Sequence, residues 1–308
     1  MPERVIAVVG PTAAGKSELS LRLSLALDGE VVNADSMQLY AGMDIGTAKL
    51  SRAQRRGVPH HLLSIWDVRQ LASAAEYQRL ARAAIDGIHG RGRVPVLTGG
   101  SGLYVRAALD NLEFPGTDPL VRERLEAELA TAGPAVLHER LARADPAAAA
   151  AILPSNGRRI VRALEVIEVA GHPFTAALPR YESHYPVVQL GLRVDRAELD
   201  RRIAARTEQM WQDGLVDEVA ALERAGLREG RTASRALGYA QVLRYLAGEC
   251  TQDEARTQTI RATRRFARRQ EAWFRRDPRV TWLPAGTAGA GQLLSQALAA
   301  CGPERTAG

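Results

Sequence analysis

The chain has 308 residues, 46% hydrophobic and 25% charged, with a formal net charge of +6. These values fit a globular chain built as one large domain or a domain with a sizeable insertion, and the positive balance favours an acidic partner such as nucleic acid or phosphate. Cys250 and Cys301 are far apart and lack metal-ligand spacing, no apolar run approaches membrane length, and the start leads straight into a strand without room for a signal peptide; neither a disulfide framework, a zinc site nor a membrane partner is indicated, and a cytoplasmic protein is expected.

The apolar run Val5-Ile6-Ala7-Val8-Val9 predicts the first strand, and Leu19, Leu23 and Leu27 recur at helical spacing beyond it. Between them stand Gly10, Pro11, Thr12, Ala13, Ala14, Gly15, Lys16 and Ser17, which have the P-loop spacing. Successive backbone N–H groups and the start of a helix make such a turn a cradle for a diphosphate or triphosphate. Lys16 adds a point charge, and Ser17 is a candidate ligand for magnesium. Lys16 and Lys49 are the only lysines in a chain that otherwise uses arginine, so a compact ammonium is expected to matter at position 16.

A second strand, residues 30–34, ends at Asp35, followed by Ser36, Met37 and Gln38. An aspartate at a strand end can hold magnesium or serve as a general base, and Ser36 and Gln38 can read a base edge. Asp44-Ile45-Gly46-Thr47-Ala48-Lys49 follows, then His60-His61, for which a structural role is favoured over metal binding. A helix over 74–89 and a strand over 94–98 lead into Gly99-Gly100-Ser101-Gly102, whose glycines permit close approach of a ligand. The alternation predicts an α/β fold, a parallel sheet flanked by helices, with the P-loop, Asp35 and Ser101 bordering one crevice at the strand ends.

From Phe114 the pattern turns helical until about Gly171, and Pro173, Pro179 and Pro186 mark the exit. Residues 115–186 are therefore expected to be an all-helical insertion in a core of 1–114 and 187–284. Within it, Arg158, Arg159 and Arg162 would form one basic helical face. The core resumes with a strand over 187–194 and ends with another over 280–283. Before that last strand, Arg261, Arg264, Arg265, Arg268, Arg269, Arg275 and Arg276 interleave with Phe266, Trp273 and Phe274, a pattern suited to a nucleic-acid backbone. The glycine- and alanine-rich stretch 285–308 reads as a flexible tail. No coiled-coil seam is evident, so a monomer without a protein partner is expected.

On the residues alone, three functions stand open: group transfer to nucleic acid, an ATP-dependent P-loop kinase of a small metabolite, and a nucleotide-gated nucleic-acid binder. The basic helix and the arginine-bearing insertion speak against the kinase.

Taken together, Gly-Pro-Thr-Ala-Ala-Gly-Lys-Ser, Asn-Ala-Asp-Ser-Met-Gln-Leu-Tyr, Asp-Ile-Gly-Thr-Ala-Lys, Gly-Gly-Ser-Gly-Leu-Tyr, Arg-Arg-Ile-Val-Arg-Ala-Leu-Glu and Ala-Leu-Gly-Tyr occur in an order that resembles the bacterial tRNA dimethylallyltransferases. The resemblance implies a P-loop NTPase-like core and transfer of a dimethylallyl group from dimethylallyl diphosphate to N6 of the adenine beside the anticodon of tRNA, position 37. Gly10 to Ser17 and Arg235 would then bind the diphosphate, with Mg2+ at Ser17. Asp35 would take the amine proton, Lys16 would stabilise the leaving diphosphate, and Ser101 would help place diphosphate and base. Asp35, Ser36, Met37, Gln38, Ser101, Arg124, Arg158, Arg159, Ile160, Val161 and Arg162 would contact the tRNA anticodon stem-loop. Two positions depart from the family's usual pattern: Ala240 stands where a basic residue often follows Gly-Tyr, and Arg268 stands where lysine is usual.

Overall fold

The computed structural model describes residues 4–174, 181–286 and 289–302. In chain order the core begins with β1 (Val5–Val9), α1 (Lys16–Ala26), β2 (Gly29–Asn33), β3 (His60–His61), α2 (Ala74–Gly90), β4 (Val94–Gly99) and α3 (Gly102–Leu109). Three helices follow: α4 (Pro119–Ala144), α5 (Pro146–Ala151) and α6 (Gly157–Ala170). The chain then returns through β5 (Val187–Arg193), α7 (Arg196–Gln212), α8 (Leu215–Arg224), α9 (Tyr239–Leu246), α10 (Gln252–Phe274), β6 (Val280–Pro284) and α11 (Ala290–Cys301).

The six strands form one sheet in the order β3-β2-β4-β1-β5-β6, with every pairing parallel. β1 lies inside it, and all five of its residues are fully buried. Its unbroken apolar run is what a strand covered on both faces requires. Ile6 and Val8 pack with Leu19 and Leu23 of α1, Leu199 and Ile203 of α7, and Ala267 of α10.

The described chain divides into two compact units, one of residues 1–110 with 183–308 and one of residues 111–182. The exchange points, after 110 and after 182, each lie four residues before the expected ones, after 114 and after 186; Asp110 and Ser183 pair as a β-bridge. Pro179 lies outside the described residues.

Within the segment expected to be a flexible tail, residues 290–301 are helical, while 287–288 and 303–308 lie outside the described residues. They form α11, and its small residues Ala297 and Cys301 are buried in the sheet's core cluster. In that helix the small residues allow close packing on the sheet. β3 is also absent from the expected elements; its two residues are too few to show a period.

The second unit has its own core of Leu125, Leu137, Leu141, Ala148, Ile152, Ile160 and Leu164. α4 begins at the Asp118 cap with Pro119 in its first turn, and breaks at Gly133-Pro134. Beneath it, Glu165 is fully buried and accepts hydrogen bonds from Thr117, Asp118 N, Arg122 and Arg162. Burial would raise its carboxyl pKa, but Thr117, Arg162 and Arg122 outweigh that and hold it below the usual range. Among the described residues no helix is long and apolar enough to cross a membrane.

Candidate active site

The P-loop leaves β1 through Gly10, whose φ is +132° and where a Cβ would sit 2.9 Å from the Leu192 carbonyl oxygen. Only glycine fits there. Ala13 adopts φ 63°, a left-handed turn that costs a non-glycine residue about 1 kcal/mol. Gly15 caps α1, and Lys16 and Ser17 open the helix. Lys16 Nζ donates to the Pro11 carbonyl at 2.8 Å. Burial pushes its pKa down to about 8, against the raising field of Asp35 and together with the lowering field of Arg206.

Arg206, on α7, donates to Thr12 Oγ1. Its pKa is likewise lowered by burial and supported by Asp35. Two cations and one carboxylate thus converge beside the loop. Their net positive charge suits an anion such as a diphosphate.

Asp35 follows the end of β2 and is fastened through its neighbours. Its N–H donates to Asn33 Oδ1 at 2.9 Å, and Asn33 Nδ2 donates to the carbonyls of Asp35 and Leu62. Tyr77 OH holds the Asn33 carbonyl at 2.9 Å. One carboxylate oxygen, Oδ1, accepts from Met37 N at 2.9 Å. That turn fixes the side chain's direction and leaves Oδ2 for a substrate.

Ser101 caps α3 but makes no capping bond with its side chain. Its Oγ instead accepts from Ser36 N at 3.2 Å and lies 3.3 Å from Ser36 Oγ. The carboxyl ends of β1, β2 and β4 are adjacent in the sheet, so the P-loop, Asp35 to Ser36 and Ser101 share one crevice as the spacing predicts.

Gln38 Nε2 donates to the Thr47 carbonyl at 3.0 Å. The loop carrying Thr47 is gathered by Glu218 on α8, whose carboxylate accepts from Asp44 N, Ile45 N and Gly46 N at 3.1, 2.7 and 3.2 Å. Tyr239 OH donates to the same carboxylate at 2.5 Å. Burial and then Glu218 raise the phenol pKa far above its ordinary value. His61 is paired with Glu30 at 2.6 Å and His60 Nδ1 lies 2.9 Å from the Val58 carbonyl, so both histidines have structural partners.

The remaining candidate residues have these environments. Arg235 is exposed at the end of the 3-10 turn Ala233–Arg235, because Ala233 and Ala236 take the inward positions. Arg206 hydrogen-bonds the P-loop through Thr12. In the second unit, Ile160 and Val161 are buried at 0% and 2% exposure, so their side chains serve its core and do not face tRNA. Arg162 is engaged by the Pro115 and Gly116 carbonyls and by Glu165. Arg124 pairs on the surface with Glu128 and Glu168. Arg158 and Arg159 are exposed in the first turn of α6.

On α10, Arg261, Arg265, Arg268 and Arg269 are exposed, as is Arg276 just beyond its end. Arg264 turns inward and donates to the Asp200 carbonyl at 3.2 Å, and Arg275 pairs with Glu271 at 2.6 Å. Phe274 is buried. The helix therefore carries a basic outer stripe over an apolar inner one.

Among the described residues no cluster of three or more His, Cys, Asp or Glu is arranged to hold a metal. Ser17, exposed at the head of α1, offers a hard oxygen. One such ligand fits magnesium, which keeps waters and takes the rest of its shell from phosphate oxygens.

The family model described as IPP transferase matches residues 38–277. The chain is 71% identical over 285 residues to a tRNA dimethylallyltransferase of Thermobifida fusca, covering 91% of this chain and 89% of that one. It is 70% identical to one of Streptomyces avermitilis, covering 96% and 95%. Among solved structures it resembles the tRNA isopentenylpyrophosphate transferase of Bacillus halodurans, with 41% identity, a TM-score of 0.73 and coverage of 97% and 96%. None of these is a metabolite kinase. A P-loop core that reads as theirs along nearly its whole length places this chain in the IPP transferase family.

Proposed function

We propose that this protein transfers a dimethylallyl group from dimethylallyl diphosphate to N6 of the adenine on the 3′ side of the tRNA anticodon, position 37, and releases diphosphate. The observation that carries the reading is the convergence of Lys16, Arg206 and Asp35 beside the P-loop, where Arg206 bonds Thr12 and Lys16 bonds the Pro11 carbonyl. The names of the relatives support the same substrates.

The donor's C1–O bond breaks with its electron pair leaving on the diphosphate, while the adenine N6–C1 bond forms. An allylic carbon tolerates positive charge, so the main demand is to stabilise the anion that departs. Lys16, Arg206 and the free N–H groups of the first turn of α1 are placed to do this. Bound Mg2+, held by Ser17 and the diphosphate, would add charge neutralisation there. Asp35 Oδ2 accepts the N6 proton as the new bond forms. Ser36 and Ser101 keep the carboxylate's strand end in register with the loop after β4.

The adenine must leave its stack to reach this crevice, at a cost of a few kcal/mol. Exposed Arg158 and Arg159 on the second unit, and the α10 stripe on the first, would recover that cost through phosphate contacts. In this reading the enzyme works as a cytoplasmic monomer and needs no ATP.

A tRNA with inosine in place of the adenine tests the acceptor. It lacks the exocyclic amine and should accept no five-carbon unit, whereas the adenine form should accept one. Equal labelling of both would refute the reading.

A further inference from the structure

Gln270 is 5% exposed near the end of α10, and its amide joins two loops of the crevice. Its Oε1 accepts from Thr12 N at 2.8 Å, and its Nε2 donates to the Gly100 carbonyl at 2.9 Å. Thr12 lies in the loop after β1 and Gly100 in the loop after β4, strands paired at Val9 and Gly99. The seat admits no side chain from below: a Cβ on Gly100 would stand 2.1 Å from Gln270 Nε2. Trp273, three residues on, covers Gly102 in the same manner, with Nε1 2.1 Å from a hypothetical Cβ.

The contact has a consequence for the P-loop. The Thr12 N–H is committed to Gln270. Thr12 meets the anion side of the site through its hydroxyl, which Arg206 holds. On the other side, Gly100 precedes Ser101, whose Oγ is bonded to Ser36 beside Asp35. One amide therefore ties the loop that carries the leaving group to the loop that carries the proton acceptor.

We infer that Gln270 is a positioning residue that sets the separation between the diphosphate loop and the Ser101–Asp35 side of the site. This rests on the transfer reaction proposed above. Displacement at C1 needs the attacking N6 and the departing oxygen in line, and a misplacement of about 1 Å can cost about 100-fold in rate. Each substrate alone still finds its own loop intact, so the loss belongs to kcat.

The test compares wild type, Gln270→Leu and Gly100→Ala in one assay, with kcat, both KM values and the dissociation constant of pyrophosphate by calorimetry. For each variant kcat should fall about 10- to 100-fold, while both KM values and the pyrophosphate constant stay within about threefold. Gly100→Ala added to Gln270→Ala should cost little more than either alone, since both act on one contact. Unchanged kcat, or a weakening of pyrophosphate binding equal to the loss of rate, would overturn the inference. Should Gln270→Leu fail to fold, Gln270→Glu keeps an acceptor for Thr12 N–H but offers no donor to Gly100, and the same split in kcat is read on it. A wild type that transfers nothing would refute the proposed reaction; a wild type that works beside unimpaired variants refutes this inference alone.

Discussion

Arg206 donates a hydrogen bond to the Thr12 hydroxyl, joining residues 194 apart in sequence at the mouth of the P-loop. The pair brings a second cation to the site beside Lys16. A charge-assisted contact to a leaving diphosphate is worth about 1.5–3 kcal/mol. Arg206→Ala should therefore lower kcat/KM for the donor about 10- to 100-fold and leave the tRNA KM near its wild-type value. Steady-state kinetics with each substrate varied in turn checks this.

Lys16 gives a pH signature. Its pKa in the empty enzyme lies at about 8, below its ordinary 10.5, mainly through burial. Diphosphate binding needs the ammonium, so the Lys16 contribution to affinity should be flat below about pH 8 and fall as pH rises through that value. Lys16→Met should remove the inflection. Between about 8 and 10.5 the unfolded chain holds a proton that the ligand-free fold does not, so this group's contribution makes stability rise with pH across that window. Pyrophosphate titrations by calorimetry and melts in the same buffers read both effects.

Glu218 and Tyr239 hold the 44–47 loop that Gln38 meets. Removing the phenol in Tyr239→Phe deletes one donor to Glu218 and should cost about 1 kcal/mol of stability. Glu218→Ala leaves the Asp44, Ile45 and Gly46 amides without their acceptor and should cost about 2–3 kcal/mol. Both should raise the tRNA KM, because the loop they gather fixes Gln38 through Thr47, while the donor KM stays unchanged. Denaturant unfolding and the two KM values test the pair.

The outer stripe of α10 should appear as salt dependence. Each arginine that meets a phosphate adds about 0.7–0.9 to the slope of log affinity against log salt. Arg265→Ala with Arg268→Ala should reduce the tRNA slope by about 1.5 and leave donor binding untouched. A slope equal to wild type would place the tRNA on another face.

What could be read from sequence was what is local. The P-loop, Asp35 and Ser101 each sit at a strand end whose apolar run and breaker residues are contiguous, so their meeting follows from parallel pairing. Arg206, Glu218 and Gln270 reach their partners across 194, 172 to 174, and 170 to 258 residues. Helical periodicity says which face of α7, α8 or α10 is apolar, but not which polar side chain a distant loop will meet. Tyr239 likewise meets Glu218, a partner on another helix that its own periodicity does not name. Ile160 and Val161 illustrate another limit, since they lie within an arginine-rich motif yet face the core of their unit.

The most direct measurement is transfer from dimethylallyl diphosphate labelled at C1 to unmodified tRNA, with magnesium present and ATP absent. Label recovered on N6 of the adenine beside the anticodon is the result this account requires. No label on tRNA, with ATP hydrolysed or its phosphate transferred when supplied, would contradict it and make the P-loop a nucleotide site.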